Sequence, residues 1–142
     1  MTFMTRKFFV DTGAFLALAN QADQYHESAK KYLDELLASK PLLVTSNFVL
    51  DETYTRIRRK SGLKSAIAFG ENIQASRQIK VFSIDRGIDK KAWEIFKQYD
   101  DHLFSYTDCT SFALMRFQKI SHVFAFDNDF RIMGFTVCPF QP

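Results

Sequence analysis

The sequence contains little cysteine, proline or glycine, and each shortage excludes a class of protein. Its 142 residues include two cysteines, three prolines and five glycines. Cys109 and Cys138 stand far apart without a CxxC or paired-histidine spacing, so neither a disulfide framework nor a zinc site is indicated. The scarcity of proline and glycine excludes a collagen-like or low-complexity chain. We therefore expect a globular protein of the reducing cytoplasm.

Long hydrophobic runs and a strong net charge are missing as well. The apolar run from Phe8 to Val10 has three residues, which is too short for a signal peptide or a membrane span. Nineteen basic and sixteen acidic residues give a formal charge of +3, which permits binding to a polyanion without requiring it. We expect neither export nor membrane association. No repeat or flexible linker divides the sequence, so residues 1–142 are expected to form one domain.

What the sequence does contain is an alternation of strand and helix patterns. Short runs rich in aromatic and β-branched residues predict strands at 7–10, 42–44, 79–84 and 122–126. Apolar residues spaced three and four apart predict helices at about 14–20, 25–39, 48–60, 63–76, 85–99 and 109–118. On the helix at 85–99, the side chains expected to face inward are Ile88, Ala92, Trp93, Ile95 and Phe96. Because parallel strands need crossover helices, the alternation predicts an α/β fold, a three-layer α/β/α sandwich with a mainly parallel central sheet.

Acidic residues stand where the predicted strands end and where helices begin. Asp11 and Asp127 each end an apolar strand, and Glu52 and Asp108 lie near the start of a helix. The carboxyl ends of parallel strands share one edge of a sheet, and ligands bind at that edge in such folds. These four acids are therefore expected to converge.

Converging carboxylates indicate a particular chemistry. Unpaired carboxylates repel one another, so a cluster of them persists mainly when a cation neutralises it. Ligands that are all oxygen suit Mg²⁺ or Mn²⁺. Two such ions can hold a phosphodiester, activate a water for in-line attack and stabilise the leaving oxygen. The pattern therefore predicts a metal-dependent phosphodiester hydrolase.

Each acid also has an interpretation that needs no metal. Asp11 precedes a Thr-Gly pair and would shape a turn through its side-chain oxygen. Glu52 lies four residues before Arg56, and the commoner meaning of that spacing is a surface ion pair on a helix. The helix macrodipole favours Asp108 at a helix start, and Asp127 suits a plain loop. The metal site therefore depends on the whole set and not on a single acid.

The acids lie within four blocks of sequence, which are VDTGAF from Val10, NFVLDET from Asn47, YTDCTSFALM from Tyr106 and FAFDNDF from Phe124. Together these blocks resemble the signature of the PIN-domain family, and in particular its VapC-type toxin branch, over almost the full chain. The resemblance implies a PIN-like fold. It also implies an endoribonuclease that cleaves RNA with Mg²⁺ or Mn²⁺ and leaves a 5′ phosphate and a 3′ hydroxyl.

The resemblance also implies roles for individual residues and for partners. The implied catalytic and metal-ligating acids are Asp11, Glu52, Asp108 and Asp127, with Asp129 as an additional metal ligand. Thr12 matches the Ser or Thr that usually follows the first acid, and Thr107 matches a position that helps to order the site, whereas Gly13 stands where Ser or Asn is more frequent. Relatives usually form homodimers, and toxin members are silenced by a small antitoxin whose tail enters the site.

Basic residues on two predicted helices are candidates for RNA contact. Arg56 and Arg59 belong to a basic stretch after Glu52, although a charged run on a helix is more often a solvated face. Arg116 lies eight residues after Asp108 and is expected to face a similar direction on its helix. These three arginines are the predicted RNA contacts.

Two rival functions stay open at this point. FVDTGA at 9–14 also resembles the catalytic turn of a small dimeric aspartic protease. That enzyme would need an all-β chain, and the long helical patterns count against it. The second rival is a non-catalytic PIN-fold module that binds RNA or a protein, against which the presence of all four acids counts.

Overall fold

The structure of the protein is a computed structural model that describes residues 6–140, and strands alternate with helices throughout them. The strands are β1 (Lys7–Val10), β2 (Leu42–Ser46), β3 (Ile79–Phe82), β4 (His122–Phe124) and β5 (Thr136–Cys138). The helices are α1 (Thr12–Ala19), α2 (His26–Ala38), α3 (Asn47–Ser61), α4 (Leu63–Ala75), α5 (Arg86–Gln98), α6 (Tyr106–Phe117) and α7 (Asp129–Ile132). The single domain predicted over 1–142 stays a prediction, because its first five and last two residues lie outside the described ones.

The strands form one five-stranded sheet in the order β3-β2-β1-β4-β5, and each described pair is parallel. The central strand β1 is covered on both faces, since Phe8, Phe9 and Val10 are all buried. A strand with no solvent face is typical of a parallel sheet between two helical layers. The predicted three-layer α/β/α fold with a mainly parallel sheet is confirmed.

The chain reverses its direction across the sheet after β3. It moves from β1 through β2 to β3 and then crosses to β4, which lies on the other side of β1. Right-handed crossovers then put α1 to α4 on one face and α5 to α7 on the other. Tyr32 of α2 packs on Phe124 of β4 from the first face, and Phe130 of α7 packs near Phe9 of β1 from the second. The crevice at such a reversal, beyond the ends of β1 and β4, is where these folds bind ligands.

The last part of the described chain differs most from the prediction. The strand predicted at 122–126 ends at Phe124, so Asp127 lies in the turn three residues beyond it. Ala125 still donates its N–H to the carbonyl of Cys138 at 3.0 Å before the chain bends away. The sequence patterns missed both α7, which has four residues, and β5, which has three. Elements this short contain too few residues to show a period.

Two aromatic residues that were expected to face inward lie on the surface of α5. Trp93 and Phe96 are 51% and 44% exposed, and their rings stack with centroids 5.8 Å apart. Phe96 also meets the ring of Tyr106 edge-on at 5.6 Å. The inward positions that are confirmed are Ile88, Ala92 and Ile95. The apolar stripe of α5 is wider than the core beneath it, so an aromatic face remains uncovered by the described residues.

Helix α3, which carries Glu52, is fixed at both ends. The buried Ser46 is its N-cap, and its side chain accepts the N–H of Val49 at 3.1 Å. At the other end Gly62 has a φ of +95° and donates its N–H to the carbonyl of Arg58 at 3.0 Å. This left-handed backbone, which glycine adopts without a steric penalty, lets α4 start at once in a new direction. Among residues 6–140, no helix is long and apolar enough to span a bilayer.

Candidate active site

A cavity of about 390 Å³ opens at the carboxyl ends of β1 and β4, at the reversal point of the sheet. Asp23, between α1 and α2, lines one side of it, and the other carboxylates in its lining are those of Asp11, Glu52, Asp108 and Asp127. Each comes from a different part of the fold, namely the end of β1, the second turn of α3, the first turn of α6 and the turn after β4. The structure thus brings together the four acids that the sequence places at strand ends and helix starts.

A larger cavity, of about 530 Å³, lies between α1, α2 and α4 above the sheet. Its lining is mostly apolar and includes no ionisable side chain. It therefore offers no acid, base or metal ligand, and the smaller acidic cavity is the candidate for chemistry.

Asp11 joins the sheet to the first helix and holds the most buried of the four carboxyl groups. Its N–H donates to the carbonyl of Phe124 at 3.0 Å, which extends the pairing of β1 with β4. Its own carbonyl accepts the N–H of Ala14 at 3.1 Å and so begins α1. The residue is 5% exposed, and its side chain makes no capping hydrogen bond to the helix. Helix capping therefore gives no reason for a carboxylate at this position.

The electrostatic surroundings of Asp11 are unfavourable to its charge. Burial raises the pKa of the Asp11 carboxyl well above its usual range, and the carboxylates of Asp127, Asp108 and Glu52 raise it further. The backbone N–H of Thr12 opposes this shift by stabilising the charged form. No basic side chain among residues 6–140 forms an ion pair with Asp11. The cavity thus concentrates negative charge without an internal counter-ion at its centre.

Asp108 has a structural role as well as a place in the cavity. Its N–H donates to Oγ of Ser105 at 3.0 Å, and its Oδ2 accepts the N–H of Ser105 at 3.1 Å, which completes a capping box. Burial, together with the carboxylates of Asp127 and Asp129, raises the pKa of Asp108 to about 6 against these hydrogen bonds. Asp108 therefore does stabilise a helix start, but only through Oδ2. Its Oδ1 accepts no hydrogen bond from the described residues, so helix capping does not account for the whole carboxylate.

The acids after β4 differ from each other in position. Asp127 lies in an exposed turn, where its Oδ1 accepts the N–H of Asp129 at 3.0 Å. Partial burial raises the pKa of Asp127, and the carboxylates of Asp129 and Glu52 raise it further. Asp129 begins α7 and does not line the cavity. Its charge acts on the site from the periphery, whereas Asp127 forms part of the wall.

Glu52 is the only one of the four acids that forms an ion pair within the described chain. Its Oε1 lies 3.7 Å from Nη1 of Arg56, which also lines the cavity. Both side chains are more than a third exposed, so the pair contributes little to stability. The surface ion pair suggested by the sequence is thus present, and it brings one cation to the rim of the acidic cavity.

Buried hydroxyl groups connect α1, which begins directly after Asp11, with α3, which carries Glu52. Thr53, fully buried and adjacent to Glu52, donates to the carbonyl of Val49 at 2.7 Å and lies 3.3 Å from the hydroxyl of Thr12. Thr12 in turn lies 3.4 Å from the same carbonyl. These contacts fix the start of α1 against α3. Thr12 also lines the cavity, but nothing in the sequence pattern singles out Thr53.

Two other predicted residues lie outside the cavity. Thr107 is absent from its lining and accepts the Thr110 hydroxyl on its carbonyl at 2.6 Å, so it acts on the helix backbone. Arg116 lines a separate cavity between α5 and α6, and the expectation that it faces the same way as Asp108 was wrong. Eight residues advance a helix by about 12 Å, which puts Arg116 at the far end of α6. The Ser105 cap, by contrast, does have a local sequence signal, since Ser105 and Asp108 form a Ser-x-x-Asp pattern at the start of a helix.

The chemistry of these side chains fits a hard divalent cation. The four proposed ligands are carboxylates, and burial together with their mutual repulsion raises the pKa of Asp11. A bound Mg²⁺ or Mn²⁺ would favour the charged form of these groups. In this conformation, however, no three Asp, Glu, His or Cys side chains within residues 6–140 lie close enough to ligate one ion. Binding would therefore require the carboxylates to draw together.

Comparison with known proteins points in one direction. A family model described as PIN domain matches residues 8–135. The 23S rRNA-specific endonuclease VapC20 of Mycobacterium tuberculosis, from either of two strains, is 40% identical over 128 residues, covering 89% of this chain and 94% of that protein. The crystal structure of VapC20, described as a Sarcin-Ricin loop cleaving toxin, has a TM-score of 0.82 and 38% identity, covering 91% of this chain and 96% of that one.

A more distant structure shares the fold alone. It is VapBC2 from Rickettsia felis bound to a DNA fragment from their promoter, with a TM-score of 0.71 and 11% identity. It covers 92% of this chain and 96% of its own. The fold is therefore maintained where most of the sequence has changed.

Replacing Asp108 with asparagine should stabilise the metal-free protein at neutral pH. A carboxyl pKa raised to about 6 makes the folded state lose stability as pH rises from about 4, with the loss complete somewhat above pH 6. Asparagine carries no charge and keeps an oxygen for the Ser105 N–H. In EDTA, the melting temperature of Asp108→Asn should exceed that of wild type at about pH 7.5, and the difference should vanish near pH 3.5.

The matched control is Asp34→Asn, which removes an exposed carboxylate on α2 away from the cavity. It should show no comparable gain at neutral pH. If Asp108→Asn gave the same difference at both pH values, the unfavourable charge of Asp108 would not be its cause.

Proposed function

Because the chain belongs to the PIN-domain family, we propose that it is a metal-dependent endoribonuclease that hydrolyses RNA phosphodiester bonds in the acidic cavity. The similarity to its VapC-type branch is confirmed by relatives that match over most of the chain. The observation that carries the proposal is the convergence of four carboxylates, from four separate elements, on one cavity at the reversal point of the sheet. Such a set is costly to a fold, so it is expected to serve chemistry.

The proposed substrate class is 23S ribosomal RNA. VapC20 is described as specific for 23S rRNA and as cleaving the Sarcin-Ricin loop, and this chain matches 94% of its length. The implied products are a 5′ phosphate and a 3′ hydroxyl. A loop of RNA suits an open cavity, because its unstacked nucleotides can leave the helix and reach the surface.

The proposed ligands of Mg²⁺ or Mn²⁺ are Asp11, Glu52, Asp108 and Asp127, with Asp129 supporting from the periphery. A divalent ion bound there would lower the pKa of a water molecule and neutralise charge on the phosphate. Other residues of the chain fix the positions of these ligands. Thr12 and Thr53 fix Asp11 relative to Glu52, and the Ser105 capping box fixes the backbone of Asp108. Arg56 offers a cation to a phosphate oxygen at the rim.

The fold excludes one of the two rival functions and is compatible with the other. An aspartic protease is excluded, because it needs an all-β chain and the described residues form a parallel sheet between helices. The turn that resembles it is the junction of β1 with α1. A non-catalytic PIN-fold module would preserve the fold without turnover, and the cleavage experiment below decides between it and the enzyme.

Replacing Asp11 with asparagine should abolish cleavage. The change removes one charge from the proposed metal site while keeping size and burial, so the rate on a 23S rRNA fragment containing the Sarcin-Ricin loop should fall at least about 100-fold in Mn²⁺. Asp34→Asn should cleave as wild type does. Wild-type cleavage that persisted in EDTA, or Asp11→Asn cleavage at the wild-type rate, would contradict the proposal.

Metal binding should be visible without RNA. Mn²⁺ binds the folded protein in preference to the unfolded chain, so titration should raise the melting temperature of wild type progressively. The double variant Asp11→Asn/Asp108→Asn should show no such rise, because two of the four proposed metal ligands lose their charge. A wild-type melting temperature that does not respond to Mn²⁺ or Mg²⁺ would rule out the metal site.

The proposed partners are a small antitoxin protein and a second copy of the chain, and the proposed location is the cytoplasm. The antitoxin follows from VapC20 being described as a toxin. The homodimer is supported by the uncovered aromatic face of α5, where Trp93 and Phe96 leave apolar surface exposed. Burial of such a face is favourable on association.

Sedimentation of a variant tests the homodimer. Trp93→Ser/Phe96→Ser should shift the protein from dimer towards monomer, because it removes the largest apolar side chains of the α5 face. Ile132→Ser, which removes an exposed apolar side chain of α7, is the control and should leave the mass unchanged. A wild-type protein that sediments as a monomer at every concentration would refute the proposal.

A further inference from the structure

A second cavity adjoins the acidic one along α3, and its charge has the opposite sign. It has a volume of about 350 Å³ and is lined by the cationic side chains of Arg56, Arg59 and Lys60, with Asp23 as its one acid. Asp23, Arg56 and Leu16 line both cavities. The two spaces therefore share a wall, and a ligand can extend from one into the other.

The helical positions explain why these cations gather. Arg56, Arg59 and Lys60 are spaced three and four residues apart, which puts them on one side of the last turns of α3. Arg59 and Lys60 form no ion pair with any described residue, while Arg56 contacts Glu52 at 3.7 Å. Asn20, across the cavity, uses its Oδ1 to accept the N–H of Ala22, which leaves its amide N–H groups available as donors.

A simpler interpretation treats these residues as a solvated helix end. Basic side chains are favourable near the last carbonyls of a helix, and such an end needs no ligand. That interpretation accounts for the charges but not for their arrangement around a cavity. The unpaired cations of Arg59 and Lys60 and the amide of Asn20 line it together with the buried Ile57. It also does not account for the position of this concavity beside four carboxylates.

The neighbouring acids indicate what the basic cavity can do for an RNA substrate. An RNA strand that enters the acidic cavity meets carboxylates that repel its phosphates, and a cation bound there offsets only part of that repulsion. Cationic side chains beside the cavity attract the flanking phosphates and hold the strand in place. From Glu52 to Lys60 the helix rises by about 12 Å, a distance that a few nucleotides can span.

We propose that the cavity formed by Arg56, Arg59, Lys60 and Asn20 is a phosphate-binding subsite for the RNA strand that flanks the scissile bond. The strand runs along α3, from the acidic cavity past Arg56 to Arg59 and Lys60. This inference rests on the proposed RNA-cleaving function and adds the path of the substrate. An acidic segment of a protein partner has related chemistry, but only RNA must also reach the carboxylates next to it.

The test uses the full chain with the double substitution Arg59→Gln/Lys60→Gln, which leaves the residues of the acidic cavity in place. Binding of the Sarcin-Ricin loop RNA is measured by fluorescence anisotropy in EDTA, where cleavage is suppressed. We expect about a 10-fold weaker Kd, and a dependence of log Kd on log salt that is shallower by about 1.4, for two lost contacts to single-stranded phosphates. In Mn²⁺, KM should rise while kcat stays within about twofold.

The matched control is Lys91→Gln/Arg116→Gln, which removes the same charge from the separate cavity between α5 and α6. It should leave Kd and its salt dependence near the wild-type values. Because all four residues are exposed, both double variants should melt close to wild type, which separates binding from folding.

Four outcomes are informative. A selective loss for Arg59→Gln/Lys60→Gln supports the subsite, and it does so even if wild type fails to cleave, in which case the proposed enzymatic function fails alone. Equal losses in both double variants would mean that only net charge matters, and they overturn the subsite. Unchanged RNA binding overturns it too. If that variant instead lost binding to a poly-glutamate peptide, the cavity would belong to an acidic protein partner.

Discussion

Asp11 is a buried carboxylate that faces three others and has no ion pair with a basic group in the described chain. A group in that position favours its neutral form and opposes folding whenever it is charged. The pairing of β1 with β4 and the threonine contacts between α1 and α3 hold it there, and the capping box of α6 fixes the backbone of Asp108 at the same cavity. These contacts thus keep the carboxylates together despite their repulsion, and the stability that the repulsion removes must come from the rest of the fold.

Packing and charge are divided between different parts of the molecule. The two faces of the sheet are filled by aromatic and aliphatic side chains, with Phe9, Phe112 and Phe130 among those fully buried. The polar groups are gathered at one edge, where strands end and helices begin. Because the hydrophobic layers supply the stability, the edge can tolerate like charges around one cavity. Burial and the carboxylate neighbours then shift several pKa values together, as is typical of functional sites.

The sequence predicted the elements that have a repeating apolar pattern or a distinct apolar run. The helices of the first four-fifths of the chain were found because their apolar residues recur with the helical period, and the central strand at 7–10 was found from its run of aromatic and β-branched residues. Short elements such as β5 carry no such signal. The exposure of Trp93 also has no sequence signal. The sequence of α5 shows which of its side chains are apolar, but not how far the core beneath the helix extends. The acids were placed by their positions at element ends, whereas Thr53 depends on a contact with Thr12 that no local pattern encodes.

The order of the strands restricts how this molecule can associate. The outer strands β3 and β5 have only four and three residues, so the described sheet presents few unpaired backbone groups at its borders. Lys80 on β3 is exposed, with its ammonium 4.8 Å from the centroid of the Phe82 ring, and a charged side chain on an outer strand makes that border still less receptive to another strand. Extension of the sheet by an incoming chain is therefore disfavoured on that side. Side chains on the helical surfaces offer contacts whose geometry and charge discriminate among partners more strictly than backbone pairing does.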